Sequence, residues 1–307
     1  MVEILMATYN GEKYVKEQLD SILIQTYSDW HLTIADDCST DSTVAILKEY
    51  ACKYPKKITY LVNKIASGSA KNNFYGLLMN VDADYVMLSD QDDFWLENKI
   101  ELTLNKMKES EAKYGFGFPL LVHSDLIVVD DKLKTLNESF YVMERINPKL
   151  NRLNNVLVTN IVAGCSMMLN RSLLNLFIKP PKDSIMHDHW FALIAAAFGK
   201  IVFVEKPTIL YRQHGNNVAG VNRRNLFENI KYKIFCSKKI HEDLVMHYRQ
   251  AHEFLKIYAN ELKDEQIKML EEYSNFEDKS IFEKFFILKK YSMNKENHIK
   301  FIGQLVR

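Results

Sequence analysis

Short apolar runs alternate with helical patterns in the N-terminal third of the chain, and this alternation constrains the fold most strongly. The runs predict strands over Ile4–Ala7, Leu32–Ala35, Ile58–Val62 and Tyr85–Leu88. Between them, apolar residues recur every three or four positions, which predicts helices over Tyr14–Gln25, Ser42–Tyr54 and Ala70–Val81. Strands that alternate with helices of this length form βαβ units and a parallel sheet. The sequence therefore predicts an α/β fold of a nucleotide-binding type.

The rest of the chain continues this pattern less regularly and then becomes mostly helical. Further strands are predicted over Leu120–Val129, Gly164–Leu169, Ile201–Val204 and Thr208–Tyr211, and helices over Glu97–Ser110 and His187–Phe198. From Asn222 onward the patterns are helical and rich in Lys, Glu, Phe and Tyr. We therefore expect one α/β domain over residues 1–220 and a helical C-terminal extension over residues 221–307.

Composition excludes several classes of protein. The net charge of +1 over 307 residues gives no field that would attract nucleic acid. The four cysteines are scattered without a CxxC pair, which argues against a zinc knuckle or a redox dithiol. The N-terminus resembles a strand and not a secretory signal, and no apolar stretch approaches the roughly 20 residues that span a bilayer. These features predict a cytoplasmic protein.

Three carboxylates, Asp90, Asp92 and Asp93, directly follow the predicted strand Tyr85–Leu88. Carboxylates held this close repel one another unless a positive charge lies among them or their pKa values rise. Mg²⁺ prefers oxygen ligands and is usually held by one or two carboxylates together with substrate phosphates. Ligands of open α/β sheets bind at the carboxyl ends of strands. The triplet therefore predicts a metal and phosphate site, and the alternative is an acidic solvated loop in which Asp92 or Asp93 caps the next helix.

Three other loops at predicted strand ends or helix starts carry polar side chains that could bind the rest of a nucleotide. These side chains are Thr8, Tyr9 and Asn10 in the first loop, Asp36 and Asp37 in the second, and Lys71 and Asn72 in the third. Carboxylates can accept hydrogen bonds from a base or a ribose, and a helix start favours phosphate. The alternatives are a plain turn at Asn10-Gly11 and ordinary helix capping.

In order and spacing, these motifs resemble those of the family 2 glycosyltransferases. The motifs are Ala7-Thr-Tyr-Asn-Gly11, Asp36-Asp-Cys-Ser-Thr-Asp41, Asn72-Asn73, Asp90-Gln-Asp92, Gly164-Cys165, Met186-His-Asp-His-Trp190 and Tyr211-Arg-Gln-His-Gly-Asn-Asn217. The resemblance covers roughly residues 1–220. The extension of the DxD motif through Asp93-Phe-Trp95 is most similar to bacterial rhamnosyltransferase-type members.

The resemblance implies the GT-A fold, with a Rossmann-like and mostly parallel sheet flanked by helices. It also implies roles for individual residues. The nucleoside diphosphate sugar would contact Thr8, Tyr9, Asn10, Asp36, Asp37, Lys71, Asn72, Asp90, Gln91 and Arg212. A divalent cation, Mg²⁺ or Mn²⁺, would be held by Asp90, Asp92 and His214. The cation would stabilise the diphosphate as it leaves the sugar.

The resemblance also implies that Asp188 is the catalytic base, with His187 and Trp190 beside the acceptor. The family more often has an acidic pair at this position, whereas here the neighbour of Asp188 is His187. The alternative role for Asp188 is to cap the following helix, whose dipole is expected to lower its pKa. For Trp190 the alternative is an ordinary core aromatic.

The activity that we expect is inverting transfer of a sugar to a hydroxyl of a bacterial surface polysaccharide or a lipid-linked precursor. The donor expected from the resemblance is dTDP-rhamnose, and the alternatives within the family are a UDP-hexose and a UDP-N-acetylhexosamine. A non-catalytic nucleotide- or glycan-binding module is a second alternative. A nucleotidyltransferase is disfavoured because residues 7–13 contain one glycine and one lysine and not a glycine-rich, basic loop.

A basic segment from Arg223 to Lys239 contains six basic residues and a single acid, Glu228, with apolar residues at near-helical spacing. This pattern is typical of a helix that lies on an anionic membrane surface. The alternative is a surface helix whose apolar side packs on the core. The first interpretation predicts peripheral contact with the inner face of the plasma membrane. A homodimer is also compatible with the sequence.

Overall fold

The computed structural model describes residues 1–214 and 237–293. Within these residues a nine-stranded sheet is flanked by helices. The strands are β1 (Val2–Thr8), β2 (Trp30–Asp36), β3 (Ile58–Val62), β4 (Tyr85–Ser89), β5 (Phe94–Trp95), β6 (Leu120–Val129), β7 (Thr135–Asn137), β8 (Met167–Asn170) and β9 (Lys200–Arg212). The helices are α1 (Val15–Leu23), α2 (Thr43–Lys53), α3 (Ala70–Asn80), α4 (Lys99–Tyr114), α5 (Phe140–Glu144), α6 (Leu153–Val156), α7 (Arg171–Leu174), α8 (His187–Phe198), α9 (Ser237–Tyr258), α10 (Asp264–Ser274) and α11 (Ile281–Lys290).

The sheet has a parallel part and a mixed part. Its strand order is β3-β2-β1-β4-β8-β6-β9-β5, and β7 pairs with β6. Strands β1 to β4 pair with one another in parallel, whereas β8 is antiparallel to both β4 and β6. In the register of the parallel part, Thr8 pairs with Asp36. The carboxyl ends of β1, β2 and β4 therefore meet at one edge of the sheet.

The elements predicted for the N-terminal third agree with the structure to within a few residues, and the later elements differ more. The two strands expected between Ile201 and Tyr211 are one strand, β9, whose pairing with β6 shifts register on either side of Asp125. The strand expected from Gly164 begins as a 3₁₀ turn over Gly164–Ser166. The first difference depends on the pairing of β9 with the distant strand β6, which local periodicity does not reveal.

The helix after the acidic triplet begins later than the sequence predicts. The chain first forms β5, which pairs with β9, and α4 then starts at Lys99 with Asn98 as its N-cap residue. The prediction that Asp92 or Asp93 caps this helix is therefore wrong. Asp93 is buried, with 1% of its surface exposed.

Two apolar clusters, one on each face of the sheet, form the core. The first contains residues of α1, α2 and α4. The second contains residues of α3 and α8 together with the C-terminal helices α9 to α11. In this second cluster, the Trp190 ring lies 5.3 Å from the ring of Phe254 and 6.3 Å from that of Tyr258. The described C-terminal helices therefore complete the core on one face of the sheet.

Replacement of Trp190 by Ala is expected to destabilise the protein. The side chain is fully buried among aromatic rings of α9, so its removal leaves a large cavity. Such truncations cost about 3–5 kcal/mol of unfolding free energy. Chemical denaturation followed by circular dichroism measures this loss. A stability equal to that of the wild type would contradict a core role for Trp190.

Two sequence predictions fall on the undescribed part of the chain. The boundary expected near residue 220 and most of the basic segment from Arg223 to Lys239 lie outside the described residues. In the described ranges, no helix is long and apolar enough to cross a membrane.

Candidate active site

A cavity of about 920 Å³ opens where the carboxyl ends of the parallel strands meet. This volume falls in the range of small-molecule sites, roughly 300–1,000 Å³. Its walls come from the loops after β1, β2 and β4, the start of α3, residues 160–165, the start of α8 and the end of β9. The fold therefore gathers most of the predicted site residues around one space.

The loop after β1 presents an exposed aromatic ring to this cavity. Tyr9 is 56% exposed and lines the cavity beside Thr8 and Asn10. The Thr8 hydroxyl donates a hydrogen bond of 2.9 Å to Asp36, which also accepts from the backbone and the hydroxyl of Ser39. Asp36 is fully buried and is not part of the cavity wall. Its carboxylate therefore joins the first two loops, and its predicted contact with the nucleotide remains a prediction.

Asp37, the next residue, does line the cavity. Burial alone would raise its pKa, but hydrogen bonds from Ser67 and Asn63 outweigh this effect and hold the pKa below its usual value. Asp37 is therefore an ionised acceptor at the cavity wall. A carboxylate of this kind can accept hydrogen bonds from a base N–H or a ribose hydroxyl.

Lys71 and Asn72 do not reach the cavity. The Lys71 amine donates to the carbonyl of Ser184 at 2.6 Å, and burial lowers its pKa. The Asn72 side chain donates to the carbonyl of Ser67 and lines a second, smaller cavity of about 650 Å³. Both side chains therefore bond to neighbouring loops, and their predicted contacts with the base remain predictions.

The acidic loop after β4 concentrates negative charge at the cavity. Burial, followed by the charges of Asp92 and Asp188, raises the pKa of Asp90 to about 7. Asp92 lies against His214, with 2.8 Å between its carboxylate oxygen and Nε2 of the imidazole. Asp90, Asp92 and His214 all line the cavity, and their role as ligands of a cation remains a prediction.

Asp93 adds a further carboxylate to this cluster from the protein interior. Its Oδ2 is buried and has no hydrogen-bond partner in the described part of the chain. One ligand atom each from Asp90, Asp93 and Cys165 lie within 4.8 Å of one another. Behind them the buried Lys99 has its pKa lowered, chiefly by burial, to about 8. Crowded carboxylates with raised pKa values and an unpartnered oxygen fit a divalent cation.

Arg212 lies beneath the acidic loop, which corrects the prediction that it binds the diphosphate directly. It is 1% exposed and does not line the cavity. Its guanidinium donates to the backbone carbonyls of Asp92 and Asp131 and pairs with Glu17, and its backbone N–H donates to Asp93. Because the guanidinium is committed to these groups, Arg212 positions the acidic loop.

Asp188 lies in the first turn of α8 and lines the same cavity. Its carboxylate accepts hydrogen bonds from the backbone of Gly164 at 3.1 Å and of His189 at 2.6 Å. Burial outweighs these hydrogen bonds and raises the pKa of Asp188 to about 6. The net shift of this pKa is therefore upward, opposite to the shift expected from the helix dipole. A carboxylate with a pKa near 6 is a stronger base than an ordinary aspartate.

His187 is 3% exposed and lines the cavity, and both of its ring nitrogens lack a hydrogen-bond partner within the described residues. Burial lowers its pKa to about 3, so the ring is neutral. It packs on Phe74 at 4.3 Å, and a side chain at Gly164 would come within 2.8 Å of its Nε2. Gly164 therefore gives the imidazole access to this wall. Trp190, by contrast, is fully buried in the core, which corrects its predicted role in acceptor binding.

The cavity is also lined by residues that were not predicted, among them Lys13, Tyr14 and Asn160. Lys13 and Tyr14 line the cavity beyond Asn10, and the Tyr14 ring stacks on His214 at 4.9 Å. Asn160 lines it from the segment before Gly164 and hydrogen-bonds to Asp188. The first two could have been found by extending the motif that ends at Gly11. Asn160 carried no comparable signal, because its segment has no regular pattern.

Several solved structures share this architecture. The Staphylococcus aureus TarS fragment 1–349 aligns with a TM-score of 0.58 at 18% identity, over 90% of this chain and 72% of that chain. Its complex with UDP-GlcNAc aligns with a TM-score of 0.59 at 17% identity, over 98% of this chain and 75% of that chain. A mannosyltransferase of Pyrobaculum calidifontis bound to GDP-Man and Mn²⁺ aligns with a TM-score of 0.54 at 16% identity, over 99% of this chain and 83% of that chain. The fold is therefore GT-A, as predicted.

Sequence comparison identifies the family within this class. The family model described as glycosyl transferase family 2 matches residues 3–177, and the chain belongs to this family. A dTDP-rhamnosyl transferase, RfbG of Shigella flexneri, is 32% identical over 71% of this chain and 74% of its own length. A glucosyltransferase of Escherichia coli, WfgD, is 28% identical over 59% of this chain and 64% of its own length. The protein is an enzyme that transfers a sugar from a nucleotide-sugar donor.

Proposed function

We propose that this enzyme is an inverting, metal-dependent glycosyltransferase that transfers rhamnose from dTDP-rhamnose to a glycan hydroxyl. One observation carries the proposal: the carboxylates of the acidic loop and the raised-pKa carboxylate of Asp188 line a single cavity. The choice of rhamnose is supported by the similarity to RfbG, a dTDP-rhamnosyl transferase. A lipid-linked acceptor is supported by WfgD, whose named acceptor is a diphosphoundecaprenol-linked sugar.

The donor would lie between the loop after β1 and the acidic loop. The exposed Tyr9 ring and the ionised Asp37 suit a base and a ribose. Asp90, Asp92 and His214 would hold Mg²⁺ or Mn²⁺ beside the diphosphate. Bound there, the cation supplies charge neutralisation for the departing diphosphate.

Asp188 would act as the general base. It accepts the proton of the acceptor hydroxyl while the hydroxyl oxygen bonds to the anomeric carbon, and the bond from that carbon to the diphosphate oxygen breaks. Attack from the face opposite the diphosphate inverts the anomeric configuration. The neutral His187, whose two ring nitrogens have no hydrogen-bond partner among the described residues, would hydrogen-bond to an acceptor hydroxyl. Burial of the His187 side chain, which is 3% exposed, limits competing attack by water.

A donor screen tests this proposal. The purified enzyme is incubated with dTDP-rhamnose, UDP-glucose or UDP-N-acetylglucosamine in Mn²⁺ or EDTA, and nucleotide release is measured. We expect Mn²⁺-dependent release that is fastest from dTDP-rhamnose. Faster release from a UDP sugar would replace the rhamnose assignment by the second candidate, which WfgD and the UDP-GlcNAc complex of TarS support. Nucleotide binding without release from any donor would indicate a binding module.

The rate of transfer should depend on the protonation of Asp188. The carboxylate is the active form, so with a pKa of about 6 the rate should be constant above pH 7 and should fall below pH 6. The kcat–pH profile between pH 4.5 and pH 8.5 measures this limb. A fall in rate centred near pH 4, where an unperturbed aspartate titrates, would contradict the assignment of Asp188 as the base.

We also propose that the basic segment from Arg223 to Lys239 holds the enzyme at an anionic membrane surface, where a lipid-linked acceptor would be found. Deleting the chain from Arg223 onward would not test this, because the deletion removes core residues of α9 to α11. Replacing Arg223, Arg224 and Lys231 by Glu leaves those helices intact. We expect the wild type to sediment with vesicles containing anionic lipid and the variant to stay in the supernatant. Equal sedimentation of both proteins would argue against this role.

A further inference from the structure

Gln91, the middle residue of the Asp90-Gln-Asp92 motif, bonds to the backbone of a distant loop. Its side-chain oxygen accepts a hydrogen bond of 2.9 Å from the N–H of Tyr9. Its side-chain nitrogen donates a hydrogen bond of 2.9 Å to the carbonyl of Tyr9. An amide is the side chain that satisfies both backbone groups at once, since a carboxylate cannot donate. The acidic loop and the loop after β1 are therefore joined at this point.

Gly11 makes room for this contact. A Cβ atom at Gly11 would lie 2.2 Å from Oε1 of Gln91 and 2.5 Å from its Cδ. Gly11 does not have a positive φ, so its value here is the space that it leaves and not its conformational freedom. On the other side, Asn10 bonds to the backbone of Thr40 and to the hydroxyl of Ser39. The loop after β1 is thus held between its two neighbours.

We propose that Gln91 is a positioning residue that couples nucleoside binding to cation binding through the protein. This inference rests on the proposed function. Gln91 stands between Asp90 and Asp92 in the sequence, and its side chain hydrogen-bonds to the backbone of Tyr9, whose exposed ring lines the cavity. A cation that orders the acidic loop also orders the loop that carries this ring. The second ligand then meets a site that is already ordered, and each ligand tightens binding of the other by the same factor.

A nucleoside without phosphates isolates this coupling, because it cannot contact the cation through a diphosphate. Binding of thymidine and uridine is measured by saturation-transfer NMR with and without Mg²⁺, which is diamagnetic. In the wild type we expect Mg²⁺ to tighten binding of the preferred nucleoside about 5-fold or more, as is typical of coupled sites. In Gln91→Met, which retains the length of the side chain but not its amide, the factor should fall to about one.

Gly11→Ala provides a second and independent test, which uses the KM for the nucleotide-sugar donor. The added methyl group should displace Gln91, so Gly11→Ala and Gln91→Ala should raise this KM to a similar extent. The double variant should be no worse than either single variant, because the clash needs both side chains. If the increases in KM add up in the double variant, the proposed role of the contact between Gln91 and the loop after β1 is overturned. Thermal unfolding of all the variants identifies any general loss of stability.

The outcomes separate this inference from the proposed function. No metal-dependent binding of either dTDP or UDP by the wild type would overturn the proposed function. Normal metal-dependent binding of the diphosphate, with a nucleoside affinity that Mg²⁺ does not change, would overturn the coupling alone. The coupling would also be overturned if Mg²⁺ changes the affinity for the nucleoside equally in the wild type and in Gln91→Met.

Discussion

Replacing Asp188 by Asn is expected to reduce sugar transfer by about 100- to 10,000-fold, the usual contribution of a general base. The amide has the size of the carboxylate and cannot take up the proton of the acceptor hydroxyl. Asp188 lies at the start of α8 with a pKa raised to about 6 by burial, so the wild-type group is ionised at neutral pH and still basic. The binding of the donor should change little, because the acidic loop and the loop after β1 are untouched.

Single-turnover transfer and calorimetric titration with dTDP or UDP measure these two effects separately. Asp243→Asn is the matched control, since Asp243 is exposed on α9 and does not line the cavity. This variant should transfer sugar at the wild-type rate. Transfer by Asp188→Asn within a few-fold of the wild type would remove Asp188 from the role of base. A parallel loss of nucleotide affinity would instead indicate damage to the donor site.

Replacing Asp92 by Ala is expected to abolish the metal-dependent part of nucleotide binding. Asp92 lines the cavity and lies 2.8 Å from His214, so its removal takes away one proposed ligand and the partner of another. Calorimetry with dTDP or UDP, in Mn²⁺ and in EDTA, measures the difference. In the wild type Mn²⁺ should tighten binding, whereas in Asp92→Ala the two affinities should be equal.

Asp93→Asn serves as the comparison, because two ligand sets are available in this loop. One set is Asp90, Asp92 and His214 at the cavity, and the other is Asp90, Asp93 and Cys165 toward the interior. If Asp93→Asn loses metal dependence while Asp92→Ala keeps it, the cation is held by the inner set. If only Asp92→Ala loses it, the set predicted from the DxD motif holds the cation.

The sequence predicted which residues lie near the cavity better than it predicted what each side chain contacts. Tyr9, Asp90 and Asp188 were predicted from their motifs, and the structure brings them to one cavity. Arg212 and Trp190 were assigned to ligands because of their position in the same motifs, yet both are buried. A motif specifies which residue type stands at a strand end or a helix start. It does not specify whether the side chain faces the cavity or the core, since distant elements decide this.

Local sequence was enough to predict the secondary-structure elements and the chemistry available at their ends. Short apolar runs and the helical period of 3.6 residues depend only on neighbouring positions, and they predicted the parallel strands and the helices between them. The tertiary structure decided which side chains are buried, and burial in turn shifts the pKa values of the ionisable groups. The pKa of Asp188 rises because the fold buries it, although the helix dipole alone would lower it. The partner of Gln91 lies 82 residues away. Only the packing of the folded sheet brings such groups together, since burial and long-range contacts depend on the whole chain.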